Sequence, residues 1–212
     1  MTDTSSPPPR DDPRTDKILA ASKAMFLEQG YDATSMDQVA QAARVSKTTL
    51  YTRFPSKEAL FSATIGAECE RRGMRFGPGE LDHLPIEEGL VRIGLRFVDL
   101  IWSDEALRIF RLAAGDAGRF PEVARLYFAA GPTHAVRSVA TFLERAQERG
   151  VLPRLDDSLF AARMLLSMLQ AGPWFELVLG IGTVPTPEQR DAFVHRVVRV
   201  YLAGITAEAA QG

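Results

Sequence analysis

Between Ser46 and Phe54 the chain sets Lys47, Thr48, Thr49, Tyr51, Thr52 and Arg53 around two apolar positions, Leu50 and Phe54. On a helix, Val45, Leu50 and Phe54 turn inward and the six polar side chains project outward. Each of the six can donate a hydrogen bond, and none is a carboxylate. A helix that lies in a major groove needs both properties: donors for phosphates and base acceptors, and no acid to be repelled by the backbone. An ordinary solvated face mixes Glu with Lys, which this one does not. The chemistry indicated is recognition of a polyanion rather than bond-making.

Little else in the chain suggests reactive chemistry. There is no nucleophile with an adjacent base, no pair of carboxylates at a defined site and no Gly-rich phosphate loop, and Glu87-Glu88 reads as an acidic helix start. A helical enzyme is therefore set aside, while a partner-binding helical module without a DNA role stays open. His83, His134 and His195 are scattered outside any metal-ligand spacing, so neither metal nor cofactor is expected. Cys69 is the only cysteine, which excludes an intrachain disulfide and predicts a reducing, cytoplasmic setting. The net charge is −2, yet residues 14–60 carry seven basic and five acidic groups, including all four lysines of the protein. A locally basic segment on an acidic chain agrees with nucleic-acid binding.

The elements that must position these residues read as helices throughout, with no period-2 alternation and no hairpin turn. Residues 1–13 are Ser-, Pro- and Asp-rich and are predicted to be a disordered tail, not a secretory signal. A first helix begins after Pro13, with Ile18, Leu19, Ala21, Met25 and Phe26 on one face, and stops at Gly30. A second starts near Ser35 and buries Met36, Val39, Ala40 and Ala43; Ser46 caps a third, which Pro55 ends; Ser56 caps a fourth. Three short helices joined tightly at Arg44-Val45 make a helix-turn-helix over residues 14–60. After a Gly- and Pro-rich loop, residues 61–212 carry further helices at about 86–102, 104–117, 121–149 (broken at Gly131-Pro132), 157–179 (perturbed at Gly172-Pro173) and 187–206. No run is long and apolar enough for a membrane helix, and no membrane partner is expected.

Residues Gly30 to Met36, Val39-Ala40, Ala43 to Ser46 and Leu50 to Leu60 together resemble the N-terminal module of the TetR/AcrR regulators, without gaps and over about a fifth of the chain. The resemblance implies a DNA-binding domain in which Thr34 and the start of the second helix at Ser35 hold the DNA backbone. Lys47, Thr48 and Thr49 would reach bases, and Tyr51 and Lys57 would contact phosphate. Ser46, Thr52 and Arg53 complete the expected surface. Lysine suits a phosphate or guanine acceptors, and threonine can offer a methyl to thymine. Arg44 stands where the family usually has Gly, and Arg53 where His is common. If Arg44 takes a positive φ it costs about 1 kcal/mol relative to Gly, and it can return a phosphate contact.

In the second part, Phe110-Arg111-Leu112, Arg119 to Val123, Tyr127-Phe128 and Gly131-Pro132 are similar to the C-terminal domain of AefR-like members of that family. This implies an all-α ligand-binding and dimerisation domain whose last two helices build the dimer. Val194, Val197, Val198, Tyr201, Leu202 and Ile205 form a continuous apolar stripe on the last helix. Such a stripe can serve either the chain's own core or a symmetric partner; the partner is preferred here, with Phe160, Ser167 and their neighbours on the preceding helix completing the interface. Phe97, Ile101, Trp102, Phe110, Tyr127, Phe128, Met164, Met168, Trp174 and Phe175 are the candidates for an apolar effector pocket. The same side chains are equally what a helical core needs. The combined expectation is a homodimeric regulator, a repressor released from a pseudo-palindromic double-stranded DNA operator by a small, largely apolar effector.

Overall fold

A computed structural model describes residues 12–77 and 79–209, and the expected tail lies almost wholly outside them. Among the described residues every regular element is a helix: α1 (Pro13–Ala33), α2 (Met36–Ala42), α3 (Lys47–Arg53), α4 (Lys57–Arg71), α5 (Ile86–Ile101), α6 (Asp104–Asp116), α7 (Pro121–Ala130), α8 (Pro132–Glu148), α9 (Ser158–Gln170), α10 (Trp174–Leu179) and α11 (Pro187–Ala209). The Gly131-Pro132 and Gly172-Pro173 breaks separate α7 from α8 and α9 from α10. Local signals set the boundaries. Asp12 caps α1 by accepting from the Arg14 N–H at 2.9 Å, with Pro13 in the first turn. Ser35 and Gln38 form a reciprocal capping box on α2, and the Asp157 carboxylate caps α9. Gly30, at φ 86°, breaks the helical geometry of α1 before its last turn.

The chain packs as two compact units, one comprising residues up to Ala67 with Leu112–Ala130, the other Glu68–Arg111 with Gly131 onward. The sequence boundary at residue 60 thus differs from the packing boundary, which also takes α7 into the first unit. α4 and α6 are divided between the units.

In the first unit, Ile18, Met36, Val39, Ala40, Ala43, Leu50, Phe54 and Leu60 form one buried cluster that binds α1, α2 and α3 to the start of α4. Beside it, Phe26, Tyr31 and Phe61 make an aromatic trio with ring centroids 5.1–5.7 Å apart.

In the second unit, α11 packs on α5 and α9, and α9 also packs on α8. Two glycines allow the close approach: a Cβ on Gly89 would lie 2.7 Å from Phe142 Cζ, and one on Gly94 would lie 2.7 Å from Val194 Cγ1. The stripe predicted for a partner is the core itself. Val194, Val197, Val198, Tyr201 and Ile205 are all buried within the chain, and Leu202 packs partly against them. Gly94 explains why, because its missing side chain lets α11 settle onto α5.

Candidate nucleic-acid interface

The turn that sets α3 is made by backbone hydrogen bonds. The Val45 N–H donates to the Ala40 carbonyl at 3.0 Å and the Arg44 N–H to the Gln41 carbonyl at 3.1 Å. This is the Schellman pattern, and it demands a left-handed residue at Arg44. Arg44 has φ 55°, so the sequence departure carries the strain expected of it. Its side chain is exposed and makes no hydrogen bond or ion pair among the described residues.

Ser46 then caps α3, its hydroxyl accepting from the Thr49 N–H at 3.1 Å and lying 2.8 Å from the Thr49 hydroxyl. Leu50 and Phe54 are buried beneath, and Val45 packs partly against them. Thr48, Tyr51 and Thr52 are exposed and Thr49 is half-buried; Tyr51 retains 46% exposure, so its ring is not a core aromatic. The Thr52 hydroxyl donates to the Thr48 carbonyl at 2.8 Å. Ser35, also exposed, uses its hydroxyl in the capping box.

Four expectations for this surface change. The donor face is carboxylate-free only within α3: Asp37, from the first turn of α2, accepts from Lys47 Nζ at 2.6 Å. That hydrogen bond and charge raise the Lys47 pKa above its ordinary value. Arg53 does not project outward. It pairs with Asp12 and donates from Nε to the Thr15 hydroxyl at 3.2 Å, fastening the end of α3 to the start of α1.

Lys57 is turned inward as well. Its ammonium donates to the carbonyls of Tyr31 (2.7 Å), Asp32 (3.1 Å) and Thr34 (2.9 Å). It therefore closes the C-terminus of α1, and burial pushes its pKa down against the opposing charges of Asp32 and Glu58. Thr34 is 2% exposed, with its hydroxyl donating to the Gly30 carbonyl at 2.7 Å, so in this conformation it offers DNA no hydroxyl. Sequence reading missed Asp37 because it considered one helix at a time.

The effector candidates separate too. Phe97, Trp102 and Trp174 are buried in the second unit's core, and Ile101, Phe110 and Met168 pack against it. Phe110 and Trp174 meet edge to face at 4.8 Å, and Trp102 lies 5.8 Å from Phe193. The indole N–H of Trp102 and the hydroxyl of Tyr201 are buried with no hydrogen-bond partner among the described residues. Met164 and Phe175 are exposed, because Ala161, Leu165 and Leu169 hold the inner face of α9 and Trp174 and Leu177 that of α10. Phe128 is 63% exposed and Tyr127 half-buried; both belong to the first unit, where Val123 is the inward residue of α7.

Of the predicted dimer residues, Phe160 and Ser167 do lie on an exposed face of α9. Leu159 and Met164 are exposed on the same helix, as are Phe175 and Leu179 on α10 and Val200 on α11.

A capped, Schellman-turned α2–α3 pair with an exposed donor face is the arrangement of a helix-turn-helix DNA-binding regulator. Residues 18–64 match the family model for bacterial regulatory proteins of the tetR family, and residues 88–204 match the model for the AefR-like transcriptional repressor C-terminal domain. The chain belongs to the TetR family of transcriptional regulators. It is 29% identical over 167 residues to the HTH-type transcriptional regulator UidR of Escherichia coli K12, covering 74% of this chain and 78% of UidR. The solved structure of the flavonoid-responsive regulator FrrA superposes with a TM-score of 0.70 at 36% identity, over 90% of this chain and 96% of FrrA. The HTH-type transcriptional activator FasR of Mycolicibacterium smegmatis is 44% identical over 57 residues, which is 27% of this chain and 26% of FasR. The family and these relatives are DNA-binding regulators rather than enzymes. Among the described residues no helix is long and apolar enough to cross a membrane.

Proposed function

We propose that the chain is a homodimeric repressor whose two α3 helices read successive major grooves of a pseudo-palindromic operator, and that a small, largely apolar effector releases it. The observation that carries this reading is the exposed face of Thr48, Thr49, Tyr51 and Thr52 beside Lys47, held rigidly on buried Leu50 and Phe54. Arg44, with Ser35 and Ser46 at the neighbouring helix starts, would supply backbone contacts. The first unit is the reading domain and the second the effector and dimer domain.

A repressing sign is supported by the match of residues 88–204 to an AefR-like repressor domain. FasR, an activator, is similar only over the DNA-binding quarter of this chain, and that module does not dictate the sign. Effector release is supported by FrrA, a flavonoid-responsive regulator similar along nine-tenths of the chain. The effector would lie among Trp102, Phe110, Met168 and Trp174, with the unpartnered Trp102 N–H as a polar anchor. It would act through α4 or α6, the helices that continue from one unit into the other. The ligand must bind better to the conformation that fits DNA less well.

A mobility-shift titration on the DNA upstream of the chain's own gene tests the reading, repeated with a panel of flavonoids. Salt-sensitive, sequence-selective binding that a flavonoid weakens is expected. Both tryptophans lie in the second unit, so quenching of their fluorescence reports the ligand independently. Binding that shows no sequence preference would sink the DNA reading, and binding that no apolar ligand shifts would sink the effector reading.

A further inference from the structure

Asp37 is the acidic group that the donor face of α3 was not expected to meet. It occupies the first turn of α2, where the Ser35–Gln38 capping box fixes the helix start, and Lys47 is the first residue of α3. The Schellman turn at Arg44 sets the two helices so that Lys47 Nζ and Asp37 Oδ2 lie 2.6 Å apart, with 65% and 56% of the two side chains exposed. A pair this exposed adds little to folding stability. It also works against indiscriminate DNA binding, since it neutralises a cation that would otherwise displace a counterion from a phosphate.

What the pair does offer is a matched donor and acceptor. One of the three ammonium hydrogens is engaged, leaving two, and Asp37 Oδ1 remains open along with the second lone pair of Oδ2. In the major groove a G·C pair presents two acceptors on guanine, N7 and O6, beside one donor on cytosine, N4. An A·T pair also has a donor, adenine N6, but it lies between two acceptors, adenine N7 and thymine O4, so only G·C places two adjacent acceptors beside a donor.

We propose that Asp37 and Lys47 act as one composite reader of a G·C pair, Lys47 donating to both guanine O6 and N7 and Asp37 accepting from cytosine N4. This rests on the DNA-binding reading of α3. Asp37 is then a specificity-determining residue: it weakens binding to random sequence and penalises A·T at one position of each half-site.

The test uses the full chain. Wild type and D37A are taken in parallel through selection from a randomised duplex library. The enriched duplex, its single G·C-to-A·T variants and a random-sequence duplex are then titrated at several salt concentrations. Wild type is expected to lose about 10-fold in affinity at one G·C position per half-site. D37A and K47A should each reduce that penalty to about twofold, and the double variant should be no worse than either alone. D37A should also bind the random duplex more tightly, with the logarithmic salt slope steeper by about 0.9. D37N, which keeps an acceptor without the charge, should retain part of the preference, and unchanged thermal melts should show that all variants fold. Full discrimination by D37A at every position overturns the assignment while leaving DNA reading intact. Failure of wild type to enrich any sequence overturns both.

Discussion

Lys57 Nζ lies 2.7 Å from the carbonyl oxygen of Tyr31 and 4.3 Å from the centroid of its ring, so one ammonium caps α1 and covers the aromatic residue that closes it. Two further carbonyls, of Asp32 and Thr34, complete its donor set. Tyr31 in turn donates to Glu58 at 3.1 Å, which ties α1 to the first turn of α4 a second time. The last carbonyls of a helix have no intrahelical partner, and a cation there also meets the negative end of the helix dipole.

K57A leaves those carbonyls without their cap. Charge-assisted hydrogen bonds of this kind carry about 1.5–3 kcal/mol, and for a chain of this size the loss converts to a fall in Tm of roughly 3–12 °C. Differential scanning calorimetry measures it. If Lys57 instead served DNA, the melt would hardly move and the salt slope of operator binding would flatten by about 0.9. That pair of outcomes would restore the phosphate role.

The example shows where sequence reading reaches and where it stops. Helix starts and breaks were readable where they depend on neighbours in the chain: Pro13 at the start of α1, Ser35 before α2, Ser46 before α3, and the Gly-Pro pairs that divide α7 from α8 and α9 from α10. Periodicity likewise placed Leu50 and Phe54 inside. It cannot show what comes to meet a face from elsewhere in the chain. Lys47 meets Asp37, Arg53 meets Asp12 and Lys57 meets the end of α1, all through tertiary packing. The α11 stripe failed for the same reason. Its spacing announced burial, whereas the absence of a side chain at Gly94 decided that α5 of the same chain would cover it.

Arg44 gives a prediction in which stability and function move in opposite directions. Its left-handed backbone at φ 55° costs about 1 kcal/mol that glycine would not incur. R44G should therefore raise Tm by roughly 2–4 °C. As the exposed side chain is proposed to meet a phosphate, the same variant should weaken operator binding and flatten the salt slope by about 0.9, while R44K restores the slope. Calorimetry and salt titration read the two effects separately. A variant that is both more stable and equally tight on DNA would make Arg44 a mere irregularity of the turn.

The Asp12–Arg53 pair makes the module sensitive to acid. The Arg14 backbone N–H, followed by the Arg53 guanidinium, holds the Asp12 carboxyl below its ordinary value of 3.8. A depressed folded-state pKa contributes stability that is present above the ordinary value and lost as pH falls through the lowered one. D12N should therefore melt below wild type at neutral pH, and the two curves should converge on acidification below pH 3.8. R53A should lower Tm in the same range and weaken DNA binding without changing its salt slope, since Arg53 orients α3 from behind. An R53A melt that stays below wild type in acid while D12N converges would assign that remainder to the Arg53 bond with the Thr15 hydroxyl. A D12N melt that stays apart in acid would overturn the role of the carboxylate charge.

The two sides of α11 differ sharply in exposure. Val198 is fully buried, whereas Val200, two positions on, is 58% exposed, and Phe160 of α9 is 52% exposed. Large apolar side chains left outside on α9 and α11 are what a symmetric interface would cover. A carboxylate at Val198 enters a site that cannot solvate it, at a cost of several kcal/mol, so V198E should unfold the second unit. V200E and F160E put the same charge where only a partner would bury it, and should give a folded monomer by circular dichroism and sedimentation equilibrium. Because two linked half-sites reinforce each other, those monomers should bind operator about 100-fold more weakly than wild type. V200E and F160E chains that still sediment as dimers would move the interface off this face, and the exposed Phe175 and Leu179 of α10 would be the next side chains to charge.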